Sequence, residues 1–574
     1  MAKDTLLVKD YLETLREDGE LDRIFPTLLS LMGFRIISPP NTSKGQSQYG
    51  KDVVALHTDS NGIKKRYYFE LKGYADKDIT DNVLNKPDGV IESLRAALYT
   101  KFPDTGIEGF DNAPIQYVLV HNGIMRANAM PTFEGFKAKE FPEGNLERWD
   151  IEQLTELFSQ YLFSEYLLTE PESVHLLKKT IVLLDVPEYD LQDFKNLVDK
   201  VLDTDVKSNK RALAKKFATL NLLCGILYHY AAIGGNVTPA KNGINFLILH
   251  TWSWILRHHL EERKPILNQF RKLLARHYSV LAEFFEKTIP AARLENGLAS
   301  ETGGIAETVL YPLRAQEWLS EYVYFNMLKQ YHPLFNGVPL HEKATQSQGL
   351  QKDELFDIIA QNDGCTRPLI DRHSLPILLT TLFVMRSQDI TNEDFNRLHR
   401  YFVSVIENIN LIRVNRQRFP ELYDRVDALV EFAASNERPF DYDDSASMLL
   451  MILLELLALV DSSTVYLQEK SFLQGKIDLQ TTHPNLSEHG NEFEQAYFHR
   501  QVHDLMYSET SIELPDNLAS LKERLRANPG EEVNFRTDRA GFRFLKYLAA
   551  IYFKNDLFPR DWRQLIIDIN AHNR

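Results

Sequence analysis

Cysteine is nearly absent from this chain of 574 residues, which contains only Cys224 and Cys365. Two cysteines so far apart provide no disulfide framework, and they lack the close paired spacing of a zinc site. We therefore expect a fold held together by its apolar core, in a reducing cytoplasmic compartment.

Long apolar runs are also missing. The most apolar segments, 217–233 and 446–460, are interrupted by polar residues, among them His229 and Glu455. A membrane-spanning helix needs about 20 largely apolar residues, so both segments are predicted to be buried helices instead. The first residues, MAKDTLLVKD, are charged from the third position and lack the apolar core of a signal peptide. We expect a cytoplasmic protein that does not enter a membrane.

Several common catalytic motifs do not occur in the sequence. There is no GxxxxGK[ST] phosphate-binding loop, no GxGxxG dinucleotide fingerprint and no serine or cysteine nucleophile motif. The net charge of −15 argues against non-specific coating of nucleic acid, because affinity for phosphates grows with the number of cations that neutralise them. The charge does not exclude a nuclease, since metal-binding carboxylates add negative charge of their own.

The sequence pattern changes near residue 165. Strand-like and helical periodicities alternate before this point, and helical periodicity without a fixed repeat dominates after it. We predict an α/β domain over 1–165 followed by a large all-α region. A polar stretch at 332–352 divides that region into 166–335 and 336–574, and the second part is a candidate regulatory, sensor or oligomerisation domain.

A β-hairpin is predicted in the middle of the first domain. Segments 52–57 and 66–72 have strand character, and the Ser-Asn-Gly sequence at 60–62 favours the tight turn between them. A helix over 89–101 and a buried strand over 115–121 follow.

Two acids and one lysine are placed together by this hairpin. Side chains alternate faces along a strand, so Glu70 and Lys72 share a face, and Asp52 begins the partner strand. Carboxylates of this kind bind Mg²⁺, which lowers the pKa of a bound water, and an ammonium group offsets charge in the transition state. We therefore predict metal-assisted phosphodiester hydrolysis, with Asp52 and Glu70 as metal ligands and Lys72 as the residue that activates the water.

This arrangement resembles a known superfamily. Asp52, a short hairpin and then Glu70-Leu71-Lys72 resemble the PD-(D/E)xK, restriction-endonuclease-like nucleases. The preceding helix, which begins with Leu21-Asp22 and ends at Gly33-Phe34, is similar to that of Mrr-type members. The similarity covers about residues 5–165.

The resemblance implies specific roles for further residues. Asp22 takes the place of the family's helix acid, which helps to position the metal or its water. The backbone carbonyl of Leu71 is implied as a third metal ligand. Gln48, in the polar loop before Asp52, is implied to lie near the nucleic acid. The metal implied is Mg²⁺, with Mn²⁺ as a substitute.

The function implied is that of a DNA endonuclease. A nuclease joined to a larger non-nuclease region resembles prokaryotic antiphage effectors, in which the helical region binds a ligand, a protein partner or a second copy. Two alternatives stay open: an RNA-directed nuclease with the same site, and a non-catalytic helical scaffold with a vestigial nuclease fold.

Basic residues near the C-terminus form a second candidate site. Their spacing of three, four and three residues places them on one helical face, where they could grip a phosphate backbone. These residues are Arg536, Arg539, Arg543 and Lys546. The interpretation favoured here is a solvated face of a core helix, and the same applies to the basic cluster at 210–216.

Overall fold

The computed structural model describes residues 2–40, 51–59, 62–102, 106–107, 109–187, 189–203, 210–300, 303–335, 345–387 and 389–572. The chain divides into two compact units, Met1–Gly243 and Ile244–Arg574. An N-terminal mixed sheet followed by a mostly helical region agrees with the predicted order of fold types.

A five-stranded sheet forms the centre of the first unit. Its strands, in spatial order, are β1 (Arg35–Ser38), β2 (Val53–Thr58), β3 (Lys64–Lys72), β4 (Ile115–His121) and β5 (Leu146–Trp149). Strands β1 to β3 pair antiparallel, whereas β3, β4 and β5 run parallel. The predictions of β2, β3 and β4 are confirmed, while the short, largely uncovered β1 was not predicted.

Helices surround this sheet and continue beyond it. They are α1 (Ala2–Leu12), α2 (Asp22–Leu31), α3 (Asp81–Asn85), α4 (Val90–Tyr99), α5 (Met130–Glu140), α6 (Ile151–Tyr161), α7 (Pro171–Leu183), α8 (Gln192–Asp203) and α9 (Lys210–Ile233). Helix α10 (Thr238–Arg257) begins in the first unit and ends in the second. A 3₁₀ turn at Glu165–Leu167 precedes α7.

The two faces of β3 pack against different partners, as its alternating sequence predicts. Phe69 contacts Phe25 of helix α2 edge-to-face, with ring centroids 5.3 Å apart. On the opposite face, Tyr68 belongs to an apolar cluster with Tyr117 and residues of α3 and α4. Glu70 and Lys72 continue this second face to the end of the strand.

The β2–β3 hairpin has the turn chemistry that its sequence predicts. Gly62 has a φ of 77°, in the left-handed region that glycine adopts without strain. Asp59 accepts a hydrogen bond from the Ile63 amide at 3.0 Å, which closes the turn. Residues 60 and 61 of the predicted turn lie outside the described residues.

The second unit is mainly helical. Its helices after α10 are α11 (Lys264–Ala292), α12 (Glu307–Phe335), α13 (Thr345–Gln361), α14 (Ser374–Met385), α15 (Asn392–Arg416), α16 (Val426–Ser435), α17 (Met448–Leu459), α18 (Ser463–Leu473), α19 (Leu486–Tyr497), α20 (Leu518–Ala527), α21 (Arg536–Arg539), α22 (Phe544–Phe553) and α23 (Pro559–His572). Single 3₁₀ turns lie at Asp363–Thr366, Asp371–His373 and His503–Leu505.

Two small sheets interrupt these helices and were not predicted. One pairs β6 (Ala446–Ser447) with β7 (Asp478–Leu479), and the other pairs β8 (Thr481–Pro484) with β9 (Met506–Glu509). Strands of two to four residues are too short to show a clear alternation in sequence.

Most of the apolar run at 446–460 is a buried helix, as predicted, and its first two residues form β6. Every residue of α17 is buried, including Glu455. Glu455 pairs with Arg563, whose Nη2 lies 2.7 Å from Oε1, and accepts a hydrogen bond from the Trp562 indole at 2.7 Å. The buried charge is therefore neutralised and hydrogen-bonded. Among the described residues, no helix has the combined length and apolar character needed to cross a bilayer.

Candidate active site

Asp52 is held against the end of strand β3 by a main-chain contact. It directly precedes β2, and the pairing of Val53 with Phe69 brings it beside the Glu70–Leu71 peptide. Its Oδ2 accepts a hydrogen bond from the Leu71 amide at 2.7 Å. The antiparallel register of the hairpin therefore fixes this carboxylate next to the Glu70-Leu71-Lys72 sequence.

Glu70 and Lys72 form an ion pair on the same face of β3. Lys72 Nζ lies 2.8 Å from Glu70 Oε1, and the side chains are only 11% and 4% exposed. Burying two charged groups has a desolvation cost even when they form an ion pair. Their presence at the end of a strand therefore suggests a role beyond stability. The structure thus brings Asp52, Glu70 and Lys72 together.

A third carboxylate, that of Glu17, joins this group and was not identified from the sequence. Its Oε2 lies 3.6 Å from Lys72 Nζ. Glu17 begins a wide turn, Glu17–Leu21, that connects α1 and α2. Gly19 reverses the chain there with a φ of 74°, so neither helical nor strand periodicity indicates where Glu17 points.

Glu20 anchors this turn to helix α9. It accepts hydrogen bonds from the Arg16 amide at 2.7 Å, from Arg211 Nη2 at 2.6 Å and from Lys215 Nζ at 2.8 Å. Arg211 Nε also donates to the Thr14 carbonyl at 3.0 Å. Two cations of the predicted basic cluster at 210–216 thus bind the protein's own carboxylate, which favours a structural role, although they are partly buried rather than on the solvated face that was expected.

The pKa values of the cluster reflect three acids around one buried cation. Burial, reinforced by Glu70, raises the pKa of Asp52 well above its usual value. Burial raises the pKa of Glu17 to about 7, although the attraction of Lys72 opposes this shift. Burial acts to lower the pKa of Lys72, but Glu70 and Glu17 outweigh it and raise that pKa. Lys72 is therefore an ammonium group at neutral pH.

The donor atoms at this site are of the kind that Mg²⁺ prefers. Carboxylate oxygens suit a hard divalent cation, and such a cation would offset both the burial of Asp52 and the repulsion from Glu70 that raise the pKa of Asp52. In the part of the chain that the structure describes, three or more histidine, cysteine, aspartate or glutamate side chains do not gather as a ready-made metal centre. The carboxylates of Asp52 and Glu70 are therefore the residues of this cluster that could hold a metal.

His121 lies at the end of β4, in register with Lys72 of β3. Its side chain is fully buried, and Nδ1 lies 2.9 Å from the Lys77 carbonyl oxygen. Nε2 has no hydrogen-bond partner among the described residues. Burial lowers the pKa of His121 to about 4, so the imidazole is neutral beside the charged cluster.

The remaining predicted residues of this domain have different positions. Asp22 is the first residue of α2 and is buried, but the ion pair from this segment to Lys72 is made by Glu17. Leu71 is buried, and its amide donates a hydrogen bond to the carboxylate of Asp52. Gln48 lies outside the described residues. The roles of Asp22, of the Leu71 carbonyl and of Gln48 stay predictions.

The basic residues near the C-terminus do not share one helical face, and this expectation was wrong. Arg536 and Arg539 lie in α21, whereas Lys546 lies in α22 and Arg543 directly precedes it. Gly541, with a φ of 83°, breaks the helix between them.

Two of these cations are buried in ion pairs. Arg536 lies 3.1 Å from both Glu261 Oε1 and Glu494 Oε2, and Lys546 Nζ lies 2.6 Å from Asp561 Oδ1. Side chains committed in this way cannot reach a phosphate backbone. Their contacts favour a structural role, but Arg536 and Lys546 are buried rather than on the solvated face that was expected.

Comparison with protein-family models, with curated proteins and with solved structures finds no match to this chain.

Proposed function

We propose that the first unit is a metal-dependent endonuclease of the restriction-endonuclease-like type that hydrolyses DNA. The observation that carries the proposal is the convergence of Asp52, Glu70 and Lys72 at the end of β3, with Glu17 completing the group. The three parallel strands of the sheet end on this side, and the carboxyl ends of parallel strands are where α/β proteins bind ligands.

Each residue has a proposed role. Asp52, Glu70 and the Leu71 carbonyl would hold Mg²⁺ or Mn²⁺, and Asp22 would assist their positioning. The metal, when bound, supplies a polarised phosphate and a water of lowered pKa. Lys72 orients that water and offsets the negative charge that develops on the phosphate.

Glu17 is the group best suited to take a proton from the attacking water. Lys72 keeps its own proton, because its pKa is raised by the surrounding carboxylates. A general base works best when its pKa is close to the working pH, and the pKa of Glu17 is about 7. The water-activating function expected of Lys72 alone is therefore divided between Lys72, which orients, and Glu17, which accepts the proton.

The proposed setting is a regulated prokaryotic antiphage effector in the cytoplasm. The choice of DNA as substrate and of this setting follows the family resemblance. The net charge of −15 disfavours tight unassisted binding to nucleic acid, and it therefore supports control of the nuclease by a partner or ligand.

Cleavage of a supercoiled plasmid with Mg²⁺ or Mn²⁺ tests the proposal. We expect nicking by the wild type that EDTA abolishes, and a loss on the order of 10²-fold or more in D52A and K72A. K65A is the matched control, since Lys65 lies on the same strand but pairs with Asp59 at 2.9 Å, outside the cluster. Variants as active as the wild type would overturn the assignment.

The same assay separates the alternatives. The protein is an RNA-directed nuclease if it cleaves single- or double-stranded RNA but not DNA, and if D52A and K72A lose this cleavage. Binding of a protein partner, with no cleavage of any substrate and no binding of Mn²⁺ at the cluster, identifies the non-catalytic scaffold.

A further inference from the structure

A cavity of about 530 Å³ lies in the second unit, between the start of helix α12 and the end of helix α15. Helix α16 and the residues that follow the 3₁₀ turn at Asp363–Thr366 complete its wall. The volume falls in the range of about 300–1,000 Å³ that small-molecule sites occupy. The cavity is therefore large enough for a small organic molecule.

One part of the lining is apolar. Phe432 and Leu369 are buried members of one hydrophobic cluster, and Ile412 packs against that cluster. Leu411 and Ile305 also line the cavity, and each of them is 57% exposed. Apolar surface that the chain leaves open in this way is suited to contact the apolar part of a ligand.

The charged part of the lining is entirely basic. Among the described residues, three arginines and no acid line the cavity. They are Arg367, Arg416 and Arg418. The positive charge of this cavity therefore follows from the side chains that form its wall.

Arg418 is a buried cation without a counter-ion. The residue is only 9% exposed. Within the described part of the chain its guanidinium group makes no hydrogen bond and no ion pair, and Nη1 is fully buried. The group lies over the ring of Phe432, 4.9 Å from the ring centre. A charge buried in this way is unfavourable unless a ligand neutralises it, and the burial lowers the pKa of Arg418.

The acid that attracts Arg418 is already bound by other groups. Asp444 acts on Arg418 without forming an ion pair with it. Its carboxylate pairs with Arg438 and accepts a hydrogen bond from the Phe419 amide at 2.8 Å. Asp444 is therefore not the counter-ion of Arg418.

A second arginine adds to the positive charge around Arg418. Arg416 repels Arg418, and it donates a hydrogen bond to the neutral side chain of Asn436 at 2.7 Å. Arg367, by contrast, pairs with Asp363 at the surface. An anion bound between Arg416 and Arg418 would offset their mutual repulsion and neutralise the buried charge.

We propose that this cavity binds a small organic anion, a carboxylate or a phosphate ester, that carries an apolar body. The guanidinium groups of Arg418 and Arg416 bind the oxygens of the anionic group, since the planar arginine fork matches carboxylates and phosphates. The apolar body packs against Phe432 and Leu369. This site is independent of the proposed nuclease chemistry and gives the helical unit a ligand of its own.

Fluorescence titration of the full chain with anilinonaphthalene sulfonate tests the site, because this probe joins an anion to an apolar ring system. We expect saturable binding, and binding weaker by about tenfold or more for anilinonaphthalene, which keeps the rings but lacks the anion. Naphthoate and naphthyl phosphate compete with the probe, and the tighter competitor identifies the preferred anionic group. Inorganic sulfate, which lacks the rings, should compete about tenfold or more weakly than either.

The variant that probes the site is R418M. Methionine removes the charge and keeps a long apolar side chain beside Phe432. We expect the affinity for the probe to fall by about tenfold or more. The melting temperature without ligand should stay the same or rise, because a buried charge without a counter-ion is lost. A purely structural role of Arg418 would instead lower the melting temperature and leave the affinity unchanged.

R416M is a second variant, at an exposed arginine whose loss should not affect folding. We expect a smaller loss of affinity than in R418M. R400M is the matched control, since Arg400 is exposed on the same helix, pairs with Glu393 and lies outside the cavity. R400M and K72A should bind the probe as the wild type does.

Four results would overturn the proposal. The first is the absence of saturable binding of the probe at millimolar concentration. The second is equal affinity in R418M, R416M and the wild type, and if R418M does not fold, R416M decides alone. The third is binding of anilinonaphthalene as tight as that of its sulfonate, which would leave an apolar cavity that does not recognise an anion. The fourth is the failure of both naphthoate and naphthyl phosphate to displace the probe.

Discussion

The guanidinium group of Arg211 donates a hydrogen bond to the carboxylate of Glu20 at 2.6 Å, across 191 positions of sequence. This bond joins helix α9 to the wide turn that carries Glu17, whose carboxylate lies 3.6 Å from Lys72. The helices that follow the sheet therefore help to shape the candidate active site. A movement of α9 would be transmitted to Glu17 through Glu20, which would give a physical route for control of the proposed nuclease.

Substitution of Glu20 tests this connection. E20Q leaves Arg211 and Lys215 without the carboxylate that both of them bind. We expect the free energy of unfolding to fall by about 1–3 kcal/mol. This loss is smaller than for a fully buried ion pair because Lys215 is partly exposed to solvent. Chemical denaturation measures the change. K210M, at an exposed neighbouring lysine, is the control and should change stability by no more than about 0.5 kcal/mol.

The positioning role of Glu20 requires a further readout. If Glu20 orients Glu17, E20Q lowers the cleavage rate constant and alters its dependence on pH, whereas E20D, which keeps the charge, restores part of both. An unchanged pH profile in E20Q, with reduced stability alone, would limit Glu20 to a structural role.

Glu17 is predicted to control the rise of activity with pH. A base acts in its ionised form, so the cleavage rate should increase as pH rises through about 7, where Glu17 loses its proton. E17Q should remove this rise and lower the rate about 10²-fold or more. E143Q, at an exposed acid that is not among the charges acting on Glu17, is the control and should retain the wild-type profile. Identical profiles for E17Q and the wild type would exclude Glu17 as the base.

His121 is predicted to make the protein sensitive to acid. Burial lowers its pKa to about 4, whereas an unfolded chain protonates histidine near pH 6.5. Below pH 6.5 the histidine therefore binds a proton in the unfolded state but not in the folded state. The free energy of unfolding falls as pH decreases from about 6.5 to about 4, by up to about 3 kcal/mol.

Melting temperatures measured across this pH range for wild type and H121Q check the prediction. Glutamine can still donate to the Lys77 carbonyl but does not titrate, so the loss between pH 6.5 and 4 should be smaller in H121Q. H175Q, at an exposed histidine, should follow the wild type. Equal acid-dependent losses in H121Q and the wild type would show that His121 is not held neutral.

Arg536 is predicted to stabilise the second unit rather than to bind nucleic acid. R536M leaves the buried carboxylates of Glu261 and Glu494 unpaired, which should cost about 3–5 kcal/mol. R539M, at an exposed neighbour that donates hydrogen bonds to Asn534, should change stability by less than about 0.5 kcal/mol and leave DNA affinity unchanged. A loss of DNA affinity in R539M would restore the interpretation of this segment as a phosphate-binding surface.

The sequence sufficed for the part of the site that lies on regular strands. A period of two places Glu70 and Lys72 on one face, and hairpin pairing brings Asp52 beside them, so local pattern predicts their proximity. Local chemistry acts in the same way at the start of helix α6, where Asp150 caps the helix by accepting hydrogen bonds from the Glu152 and Gln153 amides.

The rest of the site depends on contacts that no local pattern encodes. Glu17 lies in a turn whose direction is set by Gly19, and that turn is held by a helix almost 200 residues later. The basic segment after Phe535 does not form the single helix that its spacing predicts, because Gly541 adopts a left-handed conformation. Residue spacing alone does not reveal such a break. Whether a charged side chain is buried in an ion pair or exposed to solvent depends on residues that are distant in the sequence.

Binding of Mn²⁺, measured by electron paramagnetic resonance with the purified full chain, tests the central proposal most directly, because it does not require the nuclease to be in an activated state. We predict that the wild type binds Mn²⁺, that D52N and E70Q bind it at least tenfold more weakly, and that K72M binds it as tightly or more tightly because a competing cation is removed from Glu70. Absence of Mn²⁺ binding, or equal affinity in wild type, D52N and E70Q, would contradict the assignment of this cluster as a metal-dependent nuclease site.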